Sequence, residues 1–137
     1  MAGARGGKRK NIRKIRINTG VKNEIKPRGF IPGDGKHIIP WDFRESSELV
    51  QRAAKSKDAF HINEALNGVP LPSTNHLTGH HLYNAKVLEV VEDLETIATN
   101  NDHAYTLLTG LIQHIDNLIK NNPGLNLGQI SDLISYP

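Results

Sequence analysis

Seven histidines and no cysteine set the chemistry open to this chain. Without thiolates, a bound metal ion must rest on imidazole, carboxylate or carboxamide groups, and disulfides are excluded. His76 and His80 stand four positions apart, so on a helix they share a face and can reach one cation. That spacing alone decides nothing, because seven histidines among 137 positions produce such a pair by chance in roughly a third of chains. His81 adjoins the pair but points elsewhere on the same helix. His103 and His114 fall in strongly helical stretches and read as ordinary surface or boundary residues.

The order of the surrounding residues is more specific than the pair. Gly35-Lys36-His37-Ile38-Ile39-Pro40 comes first. Phe60 to Pro72 follows, with Asn63, Ala65, Asn67, Gly68, Leu71 and Pro72 at fixed offsets. Then comes His76-Leu77-Thr78-Gly79-His80-His81-Leu82-Tyr83. Over about residues 33–97 this pattern resembles the AHH branch of the HNH/endonuclease VII nucleases. The resemblance implies a ββα-metal finger in which His37, at the end of the first strand, is the general base. Asn67 would be a structural clasp bonding backbone across the loop, and His76 and His80 would face the metal. In that branch the residue before the base is a second, metal-ligating His, whereas here it is Lys36. A protonated amine cannot ligate. The site would then use fewer protein ligands and more waters, or Asp34 or His61 would complete the set, or Lys36 would contact phosphate directly.

These residue types suit phosphodiester hydrolysis. A neutral imidazole near pH 7 can take a proton from water. A divalent ion polarises the scissile phosphate and stabilises the leaving oxygen. A site completed by water favours Mg²⁺ or Mn²⁺, while imidazole itself prefers Zn²⁺ or Ni²⁺.

The elements that must position these groups can be read from periodicity. The expected fold is α+β and mostly helical, a ββα-metal finger followed by packed C-terminal helices. Ile12, Ile15 and Ile17 allow a short edge strand, and the Pro- and Gly-rich run from Lys22 to Gly35 reads as a loop. His37-Ile38-Ile39 suits a brief strand or loop, stopped by Pro40. Ser46 or Ser47 can cap a helix running to about Lys57. Ile62 to Gly68 suits one helical turn, with Asn63 as N-cap and Gly68 as a left-handed stop, and Val69 to Pro72 must be extended. Tyr83, Val87, Val90, Val91, Leu94 and Ile97 repeat at helical spacing, as do Tyr105, Leu108, Leu111, Ile112, Ile115, Leu118 and Ile119. Asn100-Asn101-Asp102 separates the two, Asn121 to Gly124 ends the second, and a last short helix is expected over Leu127 to Ile134.

At 137 residues the chain is sized for one small domain and a tail. Residues 1–30 read as a basic, partly disordered segment and 31–137 as the nuclease domain, with its ββα core at about 33–97 and a helical part at 98–137. The net charge of +3 conceals an asymmetry. Glu24 is the only acid among ten Lys and Arg residues before position 30, whereas after Val87 seven acids face only Lys120. A basic end suits a polyanion, because Lys and Arg release counterions from phosphates. Arg13, Lys14, Arg16 and Lys36 are the candidate phosphate contacts. No apolar run is long enough for a bilayer, no secretory signal is evident, and no stripe demands an oligomer.

The function these features favour is a metal-dependent endonuclease acting on nucleic acid, DNA ahead of RNA. The resemblance further implies the toxin module of a secreted or delivered bacterial effector, acting in the target-cell cytoplasm and blocked by a cognate immunity protein. Such an inhibitor should be acidic to match Lys36 and the basic segment. The alternative is a non-catalytic nucleic-acid-binding module with a structural metal site.

Overall fold

The computed structural model describes residues 35–70 and 79–137. The expected edge strand at Ile12 to Ile17 and the Lys22 to Asp34 part of the expected loop fall outside those residues. Within them the chain runs β1 (Gly35–His37), α1 (Phe43–Ser46), α2 (Glu48–Ala54), a 3₁₀ turn (Ala65–Asn67), β2 (Gly68–Pro70), α3 (His80–Ile97), α4 (Asn101–Asn121) and α5 (Leu127–Ser131). Among the described residues the architecture is α+β and mostly helical, five helices with one two-stranded antiparallel sheet. No helix among the described residues is long and apolar enough to cross a membrane.

The long helices follow from their apolar stripes. Tyr83, Val87, Val90, Val91 and Leu94 of α3 are buried, as are Ala104, Leu107, Leu108, Leu111, Ile112, Ile115 and Ile119 of α4. Ile97 departs from the expected stripe and is 47 % exposed; it is the last residue of α3, and the extended Ala98 that follows packs against the core instead. Asn100 caps α4 by accepting from the His103 backbone N–H at 2.8 Å. Asn126 and Gln129 form a reciprocal capping box on α5, which closes at Ser131, three residues short of the expected end.

The short elements show what tertiary contacts add. Ser47, not Ser46, caps α2, accepting from Val50 N–H at 3.1 Å, and Leu49, Val50 and Ala53 pack chiefly against α4. This helix stops at Ala54 rather than Lys57. The Ala53 carbonyl is taken by the Ser56 hydroxyl at 2.6 Å and the Phe60 N–H at 3.0 Å. That wrap turns Ala59 to φ 52°, a left-handed backbone that disfavours a Cβ, and drives Phe60 and Ile62 into the core. Glu95 of α3 reaches the N-terminus of α2, accepting from Leu49 N–H at 3.1 Å and Ser47 Oγ at 3.3 Å. Arg52 of α2 donates to the Ala98 carbonyl at the end of α3, at 3.1 Å.

Two expectations around the 3₁₀ turn are corrected. The turn starts from Glu64 rather than Asn63, because the Glu64 carboxylate folds back to accept the His61 N–H at 3.0 Å. Gly68 is not left-handed: its φ of −120° is extended, since it opens β2 directly. The register is Gly35 with Pro70, Lys36 with Val69 and His37 with Gly68.

Candidate active site

His37 ends β1, opposite Gly68. A three-residue, two-stranded pair is marginal by itself, so side chains must hold it. The Asn67 carbonyl accepts the Ile38 N–H at 2.8 Å and continues the ladder by one bond. The Asn67 carboxamide then acts as one further peptide unit. Its Oδ1 accepts from Ile39 N–H at 2.7 Å, and its Nδ2 donates to Ile39 O at 3.1 Å and Ile62 O at 2.9 Å. The side chain is fully buried, so each of these bonds forms away from competing water. Ile38 and Ile39, both buried, anchor the segment in the core.

The other side of the segment is held from α3. The Tyr83 hydroxyl donates to the Ile38 carbonyl at 2.5 Å. Burial pushes its pKa far above the ordinary phenol value, so the group stays a protonated donor. His80 lies three residues earlier, on the adjoining turn of one face, and the Tyr83 bond thus ties the start of α3 to the end of β1. The N-cap of α3 is Gly79, at φ 77°, where the backbone passes so close to Gly128 of α5 that a Cβ would collide with the Gly128 main chain. Glycine meets both demands.

The exposed end of the arrangement carries the polar groups. His37 Nε2 lies 2.8 Å from Asn63 Oδ1. With an oxygen as its partner Nε2 donates, which leaves Nδ1 as the basic nitrogen. Lys36 emerges on the opposite side of the strand from His37. Its Nζ lies 5.9 Å from the centroid of the Tyr83 ring, and burial lowers its pKa. The His80 and His81 rings lie 4.1 Å apart, centroid to centroid. The first turn of α3 has neither an acidic residue nor a side-chain cap, so its N-terminal dipole end favours an anion.

The sequence-identified residues therefore divide. His37 and Asn67 are brought together at the end of β1, Lys36 lies over the Tyr83 ring of α3, and His80 stands at the start of α3, one turn before Tyr83. His61 is buried, and its Nδ1 accepts the Asn63 N–H at 3.0 Å, so one ring nitrogen is already engaged. His76, Asp34, Arg13, Lys14 and Arg16 lie outside the described residues. His103 accepts from Thr99 N–H at 3.0 Å and His114 from Ser135 N–H at 3.1 Å, exposed backbone contacts that fit an ordinary reading.

Two residues were missed by sequence reasoning. Asn63, taken there for a cap, is the partner of His37, and its place in the Asn-x-Ala-x-Asn-Gly run was the available signal. Asn84 stands four residues after His80 on α3, and its Oδ1 is buried without a hydrogen-bond donor. No sequence signal marked it. Among the described residues no group of three or more His, Asp or Glu is placed to hold a metal.

A family model described as AHH, a nuclease family of the HNH/ENDO VII superfamily with conserved AHH, matches residues 18–119. Neither a curated protein nor a solved structure matches the chain.

Proposed function

This chain belongs to the AHH family of nucleases in the HNH/ENDO VII superfamily, and on that premise we propose that it is a metal-dependent endonuclease, DNA its favoured substrate, with His37 as general base. The observation that carries the assignment is the fixed imidazole. His37 donates through Nε2 to Asn63 at 2.8 Å, and the next two residues are clamped by Asn67 and Tyr83. A base held this way spends no reorganisation in reaching the attacking water.

HNH/ENDO VII nucleases are generally metal-dependent, and the donor set fits a divalent ion. Asn84 Oδ1 is a buried oxygen with no donor, a lone pair that a cation would satisfy. It follows His80 by one helical turn, so the two share a face. His80, Asn84 and His76 would hold the ion, with Asp34 or His61 as further candidates and waters completing the shell. Mg²⁺ or Mn²⁺ suits the oxygen donors and Zn²⁺ or Ni²⁺ the imidazoles. When bound, the ion supplies Lewis-acid polarisation of the phosphate and neutralises charge on the leaving oxygen.

The chain's own groups perform the remaining steps. Nδ1 of His37 takes the water proton while Asn63 retains the Nε2 proton and fixes the ring. Lys36, half-buried over Tyr83, and the N-terminal end of α3 hold the non-bridging phosphate oxygens. Lys36 thus stands where the branch carries its first His, and converts a ligand position into a phosphate contact. Residues 31–137 would form the nuclease domain with a ββα-metal finger at about 33–97. The segment 1–30, through Arg13, Lys14 and Arg16, would track the backbone.

The resemblance extends the proposal to a toxin module, delivered into a target-cell cytoplasm and neutralised by an acidic immunity protein. An inhibitor that proves basic, or that binds only the acidic C-terminal helices, would overturn that extension.

The test is plasmid cleavage by the purified chain with EDTA, Mg²⁺, Mn²⁺, Zn²⁺ or Ni²⁺, beside a folded His37→Ala variant. Metal-dependent cutting that the variant loses supports the proposal. Binding without cutting of DNA and RNA under every metal overturns it in favour of a non-catalytic binding module.

A further inference from the structure

The chain has a single tryptophan, and it lies outside the core. Tryptophan is among the most buried residue types on average, yet Trp41 is 39 % exposed while Phe43, two residues on, is 6 % exposed. The site of that exposure is specific. The Trp41 ring stands 6.0 Å from the His37 ring, edge to face, beside the imidazole assigned as base. The Arg44 guanidinium lies over the indole, its central carbon 4.1 Å from the ring centroid.

Arg44 is poorly placed to seize a phosphate by itself. Its Nη1 is bonded to Glu45 at 2.6 Å, which locally neutralises the charge, and its Nε is buried without a partner. Its effect is on the ring: a planar cation covers one indole face and holds it upright. With Arg44 on one face and the His37 ring edge to face 6.0 Å away, 39 % of the residue still stays open to a ligand. Pro40 and Phe43 are buried on either side, so the indole rises from an anchored turn.

We propose that Trp41, backed by Arg44, is a stacking platform for an unpaired base next to the scissile phosphate, so that the substrate is single-stranded or locally unpaired nucleic acid. An indole face accepts any base but is unavailable to one stacked within a duplex. Stacking beside His37 would seat the flanking nucleotide and aim the phosphate at the base. This rests on the nuclease reading for the identity of the phosphate but not for the binding event.

The experiment separates the two. In EDTA, where cleavage is suppressed, the full chain is titrated with a single-stranded DNA 12-mer and with the same sequence as a duplex, following the fluorescence of the sole tryptophan. Labelled-oligonucleotide anisotropy then compares Trp41→Ala and Trp41→Phe, each checked for folding by its thermal midpoint. We expect saturable quenching by the single strand. Trp41→Ala should weaken single-strand binding by roughly five- to a hundredfold, the range for loss of one stacked base. Trp41→Phe should retain part of that binding, and duplex affinity should stay within about twofold, since phosphate contacts alone are indifferent to the ring. Equal quenching by duplex, equal losses on both substrates, or an Ala variant that binds single strands normally would overturn the platform. Failure to cut under any metal would instead overturn the nuclease reading and leave this result legible.

Discussion

Replacing Asn67 by Asp keeps the shape of the side chain and inverts half of its hydrogen bonding. The wild-type carboxamide accepts one bond, from Ile39 N–H at 2.7 Å, and donates two, to Ile39 O at 3.1 Å and Ile62 O at 2.9 Å. A carboxylate still accepts from Ile39 but turns an oxygen toward two carbonyls, at a position with no exposure. Asn67→Ala leaves one N–H and two carbonyls without this partner. At about 1–3 kcal/mol for each unsatisfied buried group, and allowing for incomplete additivity, it should cost roughly 3–6 kcal/mol. Asn67→Asp should cost about as much at pH 8 and progressively less as the pH falls. A buried carboxylate with poor donors has its pKa raised by about 3 units, or roughly 4 kcal/mol between ionised and neutral forms. The folded state then binds a proton that the unfolded chain has released, so stability falls as pH rises between the two pKa values and returns on acidification. Once protonated, the side chain can donate to one of the two carbonyls again.

Urea denaturation of the three proteins from pH 4.5 to 8 measures this directly. The Asp variant should lose up to about 1.4 kcal/mol per pH unit relative to wild type through its titration, and the Ala variant should run parallel to wild type. An Asp curve parallel to wild type, or an Ala variant within about 1 kcal/mol of it, would refute the clasp.

The remaining predictions concern the other contacts on the page. Tyr83→Phe keeps the buried ring but strips the Ile38 carbonyl of its donor, so we expect a loss of about 1–3 kcal/mol and a lowered thermal midpoint. Its cleavage rate should also fall about tenfold, read by single-turnover cleavage; a rate equal to wild type would mean that the α3 tie does not position the site. Burial, joined by Glu48 and Glu92, raises the Glu95 pKa against the lowering bonds from Leu49 and Ser47. Its stability contribution is therefore fully present below the ordinary carboxylate range and fades as pH rises through the raised value. Glu95→Gln should match wild type near pH 4 and exceed it at pH 7 by up to about 0.5 kcal/mol after solvent screening, so parallel melting curves would contradict it. Lys36→Ala should weaken nucleic-acid binding and reduce the slope of log affinity against log salt by about 1. Lys36→His should instead raise affinity for Zn²⁺ or Ni²⁺ by calorimetry, and no gain would argue that this position does not face the ion.

The sequence was most legible where periodicity or a local motif acts. The stripes of α3 and α4 follow from apolar spacing, and the caps at Ser47, Asn100 and Asn126 bond within three residues. Asn67 was readable because its motif places it, although its bonds span 28 residues to Ile39. Asn63 was misread because an Asn before a helical turn is ordinarily a cap; its real partner, His37, is 26 residues away. Gly68 was misread for a related reason, since a glycine after a turn suggests a left-handed stop and only pairing with His37 makes it extended. Glu95 resembled any acid on a solvated helix face, yet it serves the N-terminus of α2, 46 residues earlier. The misreadings of Asn63 and Gly68 each replaced a long-range bond with the best local one.

The same long-range bonds explain how so small a sheet could carry the proposed reactive centre. β1 supplies three residues, and its backbone ladder ends beside the very residue that must be held most firmly. Rigidity at His37 is borrowed from three separate sources: the Asn67 carboxamide from the 3₁₀ turn, the Tyr83 hydroxyl from α3, and the buried Ile38 and Ile39 from the core. The start of α3 is in turn set by the contact of Gly79 with Gly128, so α5 reaches the site through one backbone crossing. Stability and catalytic geometry therefore share bonds. A substitution that loosens any of these supports should lower the unfolding free energy and the cleavage rate together, whereas one confined to the Asn63 side chain, whose contact with the imidazole is only part-buried, should lower the rate with a smaller change in stability.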